Sequence, residues 1–333
     1  MKTISLVSGT YNEVENVEEL LRRAWAAVEP FRGKYEFEYV FIDNDSTDGT
    51  QDLLRKLAAA DPRLKVILNV RNFGHVRSPC HGMLQARGEA VLLLASDLQD
   101  PPELIPQFIE KWEQGFKLAL GVKNQSEESP FLFLVRKAYY ELVSRLSQVN
   151  LIKNATGFGL YDRQVIELLK GIEDPYPYVR GIICDFGFPI AQIPFVQPLR
   201  KRGFTKNNLY TLYDMAMLGI TSFSKIPLRL AAMLGFGASI LSFLAGMAYL
   251  VYKLIFWYRF TLGIAPVVVG VFFLGSVQLF FIGILGEYIG AIHTRIHKRP
   301  LVVEKERINF ASPTSPAAIS PGDAIATVLR PPQ

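Results

Sequence analysis

Four short polar segments contain the residue types needed to hold a phosphorylated sugar donor. They span 10–13, 43–50, 71–75 and 96–103, and each follows an apolar run. Carboxylates and amides can hydrogen-bond a base and a ribose, whereas a carboxylate beside a diphosphate normally acts through a divalent cation, because the two anions repel each other. The candidate donor-binding residues are Thr10, Tyr11, Asn12, Glu13, Asp43, Asp45, Asn72, His75, Ser96 and Asp97. Asp97 and Gln99 are the preferred metal or diphosphate ligands.

Some of these residues have a structural alternative. Asn12, with Glu15 three residues later, is typical of a helix-capping box. The Asp-Pro-Pro-Glu run at 100–103 is typical of a helix start, so we predict that Asp100 caps a helix. His75 is as consistent with a structural role as with a donor contact. Asp97 and Gln99 fit no such structural pattern.

Strands and helices alternate around the polar segments. The apolar runs predict strands over Ile4–Ser8, Phe37–Ile42, Lys65–Leu68, Ala90–Leu94 and Leu118–Val122, with helices over Val14–Val28 and Thr50–Ala60. This order predicts a parallel α/β sheet with helices on both faces, and ligands of such sheets bind at the carboxyl ends of the strands. Further along, the pattern predicts helices over 131–148 and 162–169 and a strand over 190–196.

Two uncharged segments dominate the C-terminal third. Leu230–Tyr252 and Phe260–Gly286 each exceed the roughly 20 apolar residues that cross a bilayer. A pair of buried helices is the alternative, but two such runs in succession favour a transmembrane hairpin. Basic residues are more numerous on the outer flanks than in the connection, which predicts a cytosolic N-terminal domain at the inner membrane. Asn208–Ser224 is apolar and aromatic, and predicts a helix in the membrane interface or, alternatively, in the core.

Composition excludes some classes of function. The net charge is +5, without a dense basic run carrying interleaved aromatic residues, so we expect no nucleic-acid partner. Cys80 and Cys184 have no metal-ligand spacing and indicate no disulfide framework. Small residues in the apolar segments, such as Gly235 and Gly246, are compatible with a homo-oligomer.

Taken together, the motifs resemble family 2 glycosyltransferases of the GT-A fold. The closest likeness is to the dolichyl-phosphate mannose synthase and bacterial polyisoprenyl-phosphate glycosyltransferase branch. The matching segments are Tyr11-Asn12-Glu13, Asp43 to Gly49, Arg71 to His75, Asp97 to Glu103, Leu160 to Arg163, Ser222 to Ser224 and Gly286 to Gly290. The resemblance implies a UDP- or GDP-linked sugar donor, Mg²⁺ or Mn²⁺, a polyprenyl phosphate acceptor and inversion at the anomeric carbon.

The resemblance also implies roles for individual residues. Tyr11, Glu13 and Asp43 would hold the base and ribose. Asp97 and Gln99 would bind the metal and diphosphate. Arg200 and Lys206 would contact donor or acceptor phosphates during catalysis with Asp97, although both cations could instead bind lipid head groups.

Two positions depart from the family pattern. Ala95 replaces the first acid of the acid-x-acid motif ending at Asp97, and Gly157 replaces the acid of a Gly-Asp-Phe-Arg-Leu segment, whose arginine is also absent. A phosphate acceptor is already ionised at pH 7 and needs positioning more than a base, so the loss of the second acid favours a phosphate over a hydroxyl acceptor. The alternatives are sugar transfer to a hydroxyl and a catalytically impaired nucleotide-sugar-binding homologue.

These patterns divide the chain into four parts. We expect a GT-A catalytic domain over 1–205, an interfacial region over 206–228, the hairpin over 229–292, and a cytosolic tail over 293–333 that is disordered after about residue 310.

Overall fold

A computed structural model of the protein describes residues 1–125, 152, 154–198, 226–256, 264–297 and 299–310. The predicted helix at 131–148, the predicted interfacial helix, Arg200, Lys206 and the end of the tail lie outside these ranges. The strands are β1 (Lys2–Thr10), β2 (Tyr35–Asp43), β3 (Leu64–Asn69), β4 (Ala90–Leu93), β5 (Leu118–Gln125), β6 (Ala155–Asp162), β7 (Ile190–Val196) and β8 (Glu304–Ile308). The helices are α1 (Val14–Val28), α2 (Thr50–Ala60), α3 (Gly74–Gln85), α4 (Ile105–Glu113), α5 (Arg163–Lys170), α6 (Val179–Asp185), α7 (Ile226–Ile255) and α8 (Ile264–Ile296).

The described strands form a mixed sheet in the order β7-β5-β6-β4-β1-β2-β3-β8. Strands β4, β1, β2 and β3 are parallel neighbours, so their carboxyl ends meet at one edge. Strand β6 runs antiparallel to both β4 and β5, and β7 runs parallel to β5. The predicted parallel α/β core is confirmed.

Two apolar layers hold the helices to the sheet. Leu20 on α1 and Phe108 on α4 pack with Phe41 on one face, and Met83 on α3 packs with Tyr161 on the other. All five side chains are almost fully buried. Burying a side chain of this kind contributes about 1.5–3 kcal/mol, so these layers fix where the strand ends lie.

The two long helices α7 and α8 carry the predicted apolar spans. Ile226–Ala248 and Phe273–Thr294 are long and apolar enough to cross a membrane, and neither window is buried within the protein. Large side chains such as Leu241 and Phe280 are about two-thirds exposed. A soluble protein rarely exposes so continuous an apolar surface, which indicates association with a membrane.

Strand β8 was not predicted from the sequence, because its residues were assigned to a C-terminal tail. It pairs antiparallel with β3 at the edge of the sheet. Glu306 forms an ion pair with Arg55 on α2, with 2.9 Å between nitrogen and oxygen, and Asn309 Nδ2 donates to the Leu64 carbonyl at 2.8 Å. The chain that leaves α8 is therefore anchored back on the same sheet.

Candidate functional site

The centre of the polar edge is a hydrogen-bond network around Asp43, the last residue of β2. Its Oδ2 accepts from Thr10 Oγ1 at 2.9 Å and from Ser46 Oγ at 2.5 Å, and its Oδ1 accepts from the Ser46 amide at 2.9 Å. Asp43 and Thr10 face each other in the register of β1 and β2 and are almost completely buried. The structure thus joins two predicted donor-binding residues in one fixed unit.

The segment after β1 is held by the loop after β2. The Asn12 amide donates to Ser46 Oγ at 2.8 Å, and Asn12 Oδ1 accepts from the Thr47 amide at 2.9 Å. The predicted capping role of Asn12 is wrong: Glu13 occupies the N-cap of α1, and no side-chain cap bond is made there. The physical reason is that Asn12 is committed to the neighbouring loop, with a φ of 58°.

Glu13 and Tyr11 flank Asn12 on the same turn. Glu13 is buried, its amide donates to Thr50 Oγ1 at 3.0 Å, and its Oε2 accepts from Asn16 Nδ2 at 2.5 Å. Tyr11 is half-buried. Glu13 therefore links the start of α1 to the start of α2. Tyr11 is more exposed than Glu13 and is better placed to contact a ligand.

Three non-glycine residues that follow the parallel strands adopt left-handed backbone conformations. They are Asn12, Asp45 and Leu98, with φ values of 58°, 62° and 61°, and they follow β1, β2 and β4 respectively. Such conformations are uncommon and concentrate at functional sites, where the surrounding structure maintains them. Their grouping at the ends of adjacent strands marks this edge as the candidate site.

The loop after β4 carries the proposed metal residues. Ser96 Oγ donates to the Gly9 carbonyl at 2.9 Å, which ties this loop to β1. Asp97 Oδ1 accepts from the Gln99 amide at 3.1 Å, so the turn orients the carboxylate. Because β1 lies between β2 and β4, and neighbouring strands are about 4.8 Å apart, the strands that precede the Asp43 and Asp97 loops lie about 10 Å apart.

Asp100 does not cap a helix. The turn that begins at Pro102 has Pro101 as its N-cap and no side-chain cap bond. Asp100 Oδ2 accepts instead from the Ala95 amide at 2.9 Å and closes the loop that carries Asp97. The pKa of Asp100 is raised to about 7, mainly by burial. The Ala95 hydrogen bond lowers it, the nearby Asp97 charge raises it, and the Lys123 charge lowers it.

The segment between β3 and α3 is positioned by Asn44. Asn44 Oδ1 accepts from Asn69 Nδ2 and from the Phe73 amide, each at 3.2 Å, and from Ser78 Oγ. Nothing in the sequence singled out Asn44 or Ser46 beyond their place in a polar run. Their burial beside Asp43 could be found only from the fold.

The other two predicted residues of this segment lie nearer to solvent. Asn72 is exposed and its Oδ1 accepts from the Gly74 amide at 2.7 Å. The His75 side chain is in contact with solvent, but many protein atoms surround its imidazole ring. These surroundings and the charge of Arg180 lower the pKa of His75, which favours the neutral imidazole at pH 7.

The oxygen donors present suit a hard divalent cation. Asp97 and Gln99 offer a carboxylate and an amide, and Asp45 is half-buried on the neighbouring loop. Within the described ranges, no group of three His, Cys, Asp or Glu side chains is placed to hold a metal. Mg²⁺ commonly takes only one or two carboxylates and completes its shell with substrate phosphates and water. The residues therefore fit a metal that binds together with a diphosphate.

The fold and its polar edge define a GT-A-type α/β protein that carries an apolar helical hairpin. The glycosyl transferase family 2 profile matches residues 5–169, and the GtrB C-terminal hairpin profile matches residues 226–292. This chain belongs to glycosyltransferase family 2.

Several relatives match almost the whole chain. The SfII prophage-derived bactoprenol glucosyl transferase of Shigella flexneri is 34% identical over 308 residues, covering 91% of this chain and 97% of the relative. The uncharacterized glycosyltransferase YkcC of Bacillus subtilis is 33% identical over 300 residues, covering 90% of this chain and 92% of the relative. Among solved structures, glucosyl-3-phosphoglycerate synthase of Mycobacterium tuberculosis has a TM-score of 0.43 at 18% identity, covering 66% of this chain and 78% of that chain. The protein is accordingly a glycosyltransferase.

Proposed function

We propose that the protein transfers a sugar, with inversion, from a nucleoside diphosphate sugar to a polyprenyl phosphate at the membrane. The observation that carries the proposal is the connection of two features in one chain. The carboxyl ends of the parallel strands carry buried and half-buried carboxylates. The same chain forms a pair of apolar helices and then returns to the sheet as β8. The name and the near full-length match of the Shigella relative support the same acceptor class.

In this proposal each group at the sheet edge has a separate task. Asp43, held by Thr10 and Ser46, contacts the base or ribose together with Tyr11. Asp97 and Gln99 hold Mg²⁺ or Mn²⁺, which when bound neutralises charge on the diphosphate. An oxygen of the acceptor phosphate forms a bond to the anomeric carbon, and the bond from that carbon to the diphosphate breaks. The leaving nucleoside diphosphate keeps the electron pair.

Arg200 and Lys206 belong to the proposal on the resemblance alone, since both lie outside the described residues. Cations near a membrane surface would offset charge where the acceptor and donor phosphates approach each other. The cytosolic orientation of the sheet and the inner-membrane location are likewise proposed from the distribution of basic residues.

The test is a transfer assay with the full chain in detergent or liposomes. A short polyprenyl phosphate is incubated with a panel of UDP- and GDP-linked sugars, with Mg²⁺, with Mn²⁺, or with EDTA. We expect a metal-dependent glycolipid that is cleaved by mild acid, because a sugar linked through phosphate hydrolyses readily. Asp97→Asn should lower the rate by about 100-fold or more, in line with loss of an electrostatic group at a reacting centre.

A second candidate is a binding protein with impaired catalysis, which the alanine at position 95 favours. It predicts nucleotide binding that ignores the metal, without turnover for any donor. A complete absence of glycolipid across the donor panel would reject the transferase proposal, whereas an acid-stable product formed on polyprenol would point to a hydroxyl acceptor.

A further inference from the structure

The two positions where family acids are missing lie at the same end of the β4–β6 pair. Strand β6 runs antiparallel to β4, and the last paired residues are Leu93 and Gly159. Ala95 comes two residues after Leu93, and Gly157 comes two residues before Gly159, so both lie beyond the same end of the ladder. Both departures therefore fall at the edge that carries Asp97.

The described residues leave space next to Gly157, and an arginine borders it. Gly157 has a φ of 93°, and among the described residues a Cβ atom built on it would meet only Arg180 Cγ, at 4.0 Å, within a 4 Å radius. Its carbonyl accepts from the Tyr161 hydroxyl at 2.7 Å, which fixes the strand here. The position leaves room for a ligand atom where the family pattern places a carboxylate.

Arg180 on α6 is held from two sides. Its Nη1 donates to the Ala155 carbonyl at 2.9 Å, and its guanidinium carbon lies 5.1 Å from the centroid of the Tyr178 ring. Within the described ranges it forms no ion pair with a carboxylate. A guanidinium has five N–H donors, so most of those of Arg180 remain for a ligand. The positive charge of Arg180 also lowers the pKa of His75 on α3.

We infer that Arg180, at the opening beside Gly157, binds the phosphate of the acceptor. The inference rests on the proposed function and specifies which residue selects a phosphate over a hydroxyl. A guanidinium pairs with phosphate through two parallel hydrogen bonds and does not lose its charge. A polyprenyl monophosphate carries close to two negative charges at pH 7, whereas the corresponding alcohol carries none. Removal of both acids lowers the repulsion that this anion would meet, whereas the arginine that is absent at Gly159 removes one attraction.

The experiment measures ligand binding and does not require turnover. Binding of a short polyprenyl phosphate, of the matching polyprenol and of UDP or GDP is measured on the full-length protein and on Arg180→Gln. We expect the variant to bind the phosphate about 10- to 100-fold more weakly, the range for loss of a charge-assisted hydrogen-bonded pair. Binding of the polyprenol and of the nucleotide should change by less than about 2-fold.

Arg163→Gln is the matched control. Arg163 also donates to backbone carbonyls, those of Ala86 and Gly88 at the other end of the sheet. If Arg180 were only structural, both variants would lower the melting temperature and leave the preference for phosphate over polyprenol unchanged, which would overturn the inference. Weaker nucleotide binding in Arg180→Gln alone would also overturn it, by assigning the guanidinium to the donor.

Two further variants keep the test decisive if glutamine prevents folding. Arg180→Lys retains the charge without the planar pair of donors, and we expect it to lose part of the phosphate preference. Gly157→Asp restores an acid beside the guanidinium and should weaken phosphate binding by forming an internal ion pair, whereas Gly157→Asn, which has the same strain at a φ of 93° but no charge, should not. A wild-type protein that binds phosphate and alcohol equally refutes the inference even if sugar transfer is observed, and a failed transfer assay with intact phosphate preference refutes only the proposed reaction.

Discussion

Asp100→Asn tests how a buried carboxyl group couples folding to pH. Asp100 is almost completely buried, and burial is the main cause that raises its pKa from 3.8 to about 7. In the unfolded chain the Asp100 carboxyl group ionises near pH 3.8. Between the two values the native state binds one more proton than the unfolded state, so the free energy of unfolding falls as the pH rises.

The size of the effect follows from this interval. Each pH unit between the two pKa values costs about 1.4 kcal/mol, giving a total of about 4 kcal/mol that is lost by pH 7 to 8 and fully present below pH 4. Asparagine stays neutral at every pH, and its side-chain oxygen can still accept from the Ala95 amide. The variant should therefore be as stable as the wild type near pH 4 and more stable, by up to about 4 kcal/mol, at pH 8.

Thermal unfolding of the full-length protein in detergent, followed by circular dichroism between pH 5 and 8.5, measures this difference. At about 2–4 °C per kcal/mol, the range for a domain of about 200 residues, the gap in Tm should widen to as much as about 10 °C. Asp52→Asn is the control, because Asp52 is exposed and its ion pair with Arg55 contributes little. Parallel pH profiles for Asp100→Asn and wild type, or a less stable variant at pH 8, would refute the reasoning.

Two other substitutions test the architecture of the site. Asp43→Ala removes the acceptor of three buried hydrogen bonds, at about 1–3 kcal/mol for each donor left unpaired, and we expect at least about 3 kcal/mol lower unfolding free energy in urea together with loss of nucleotide binding. Binding at wild-type affinity would contradict the role of Asp43. Gly159→Ala places a Cβ 2.3 Å from the Ala119 carbonyl oxygen between β5 and β6, so it should cost about 1–3 kcal/mol or more, whereas Gly33→Ala, with open space around it, should be nearly neutral. Equal melting temperatures for the two alanine variants would show that the sheet accommodates the clash.

Local patterns predicted most of the elements that carry the site. The helix predicted over Val14–Val28 was found with those bounds, and the strands that end near Thr10 and Asp43 were placed to within a few residues. Buried parallel strands are continuous apolar runs, and surface helices repeat apolar residues every three or four positions, so both leave a signal within a short window. The same property located the two apolar spans by length alone.

Side-chain roles at the strand ends were harder to predict. Asn12 and Asp100 have the sequence signatures of helix caps, yet each bonds to a loop: Asn12 to the Thr47 amide and Asp100 to the Ala95 amide. The sequence signature of a helix cap depends only on residues that are neighbours in the chain. The competing partner of Asn12 lies 35 positions away, and that of Asp100 is reached only because the loop after β4 turns back on itself.

The sequence by itself determined the parallel core of the sheet, the polar segments at its edge and the apolar hairpin, because each depends on residues close together in the chain. The class of protein followed from the order and spacing of motifs along the whole chain. Only the tertiary structure decided that β8 returns to β3 after the hairpin, that β6 runs beside β4, and that Gly157, beside Arg180, therefore lies at the same edge as Ala95. Pairing between distant strands is selected by the packing of the whole sheet, since a strand of five or eight residues can pair in many ways and the register that buries its apolar face is defined by its neighbours.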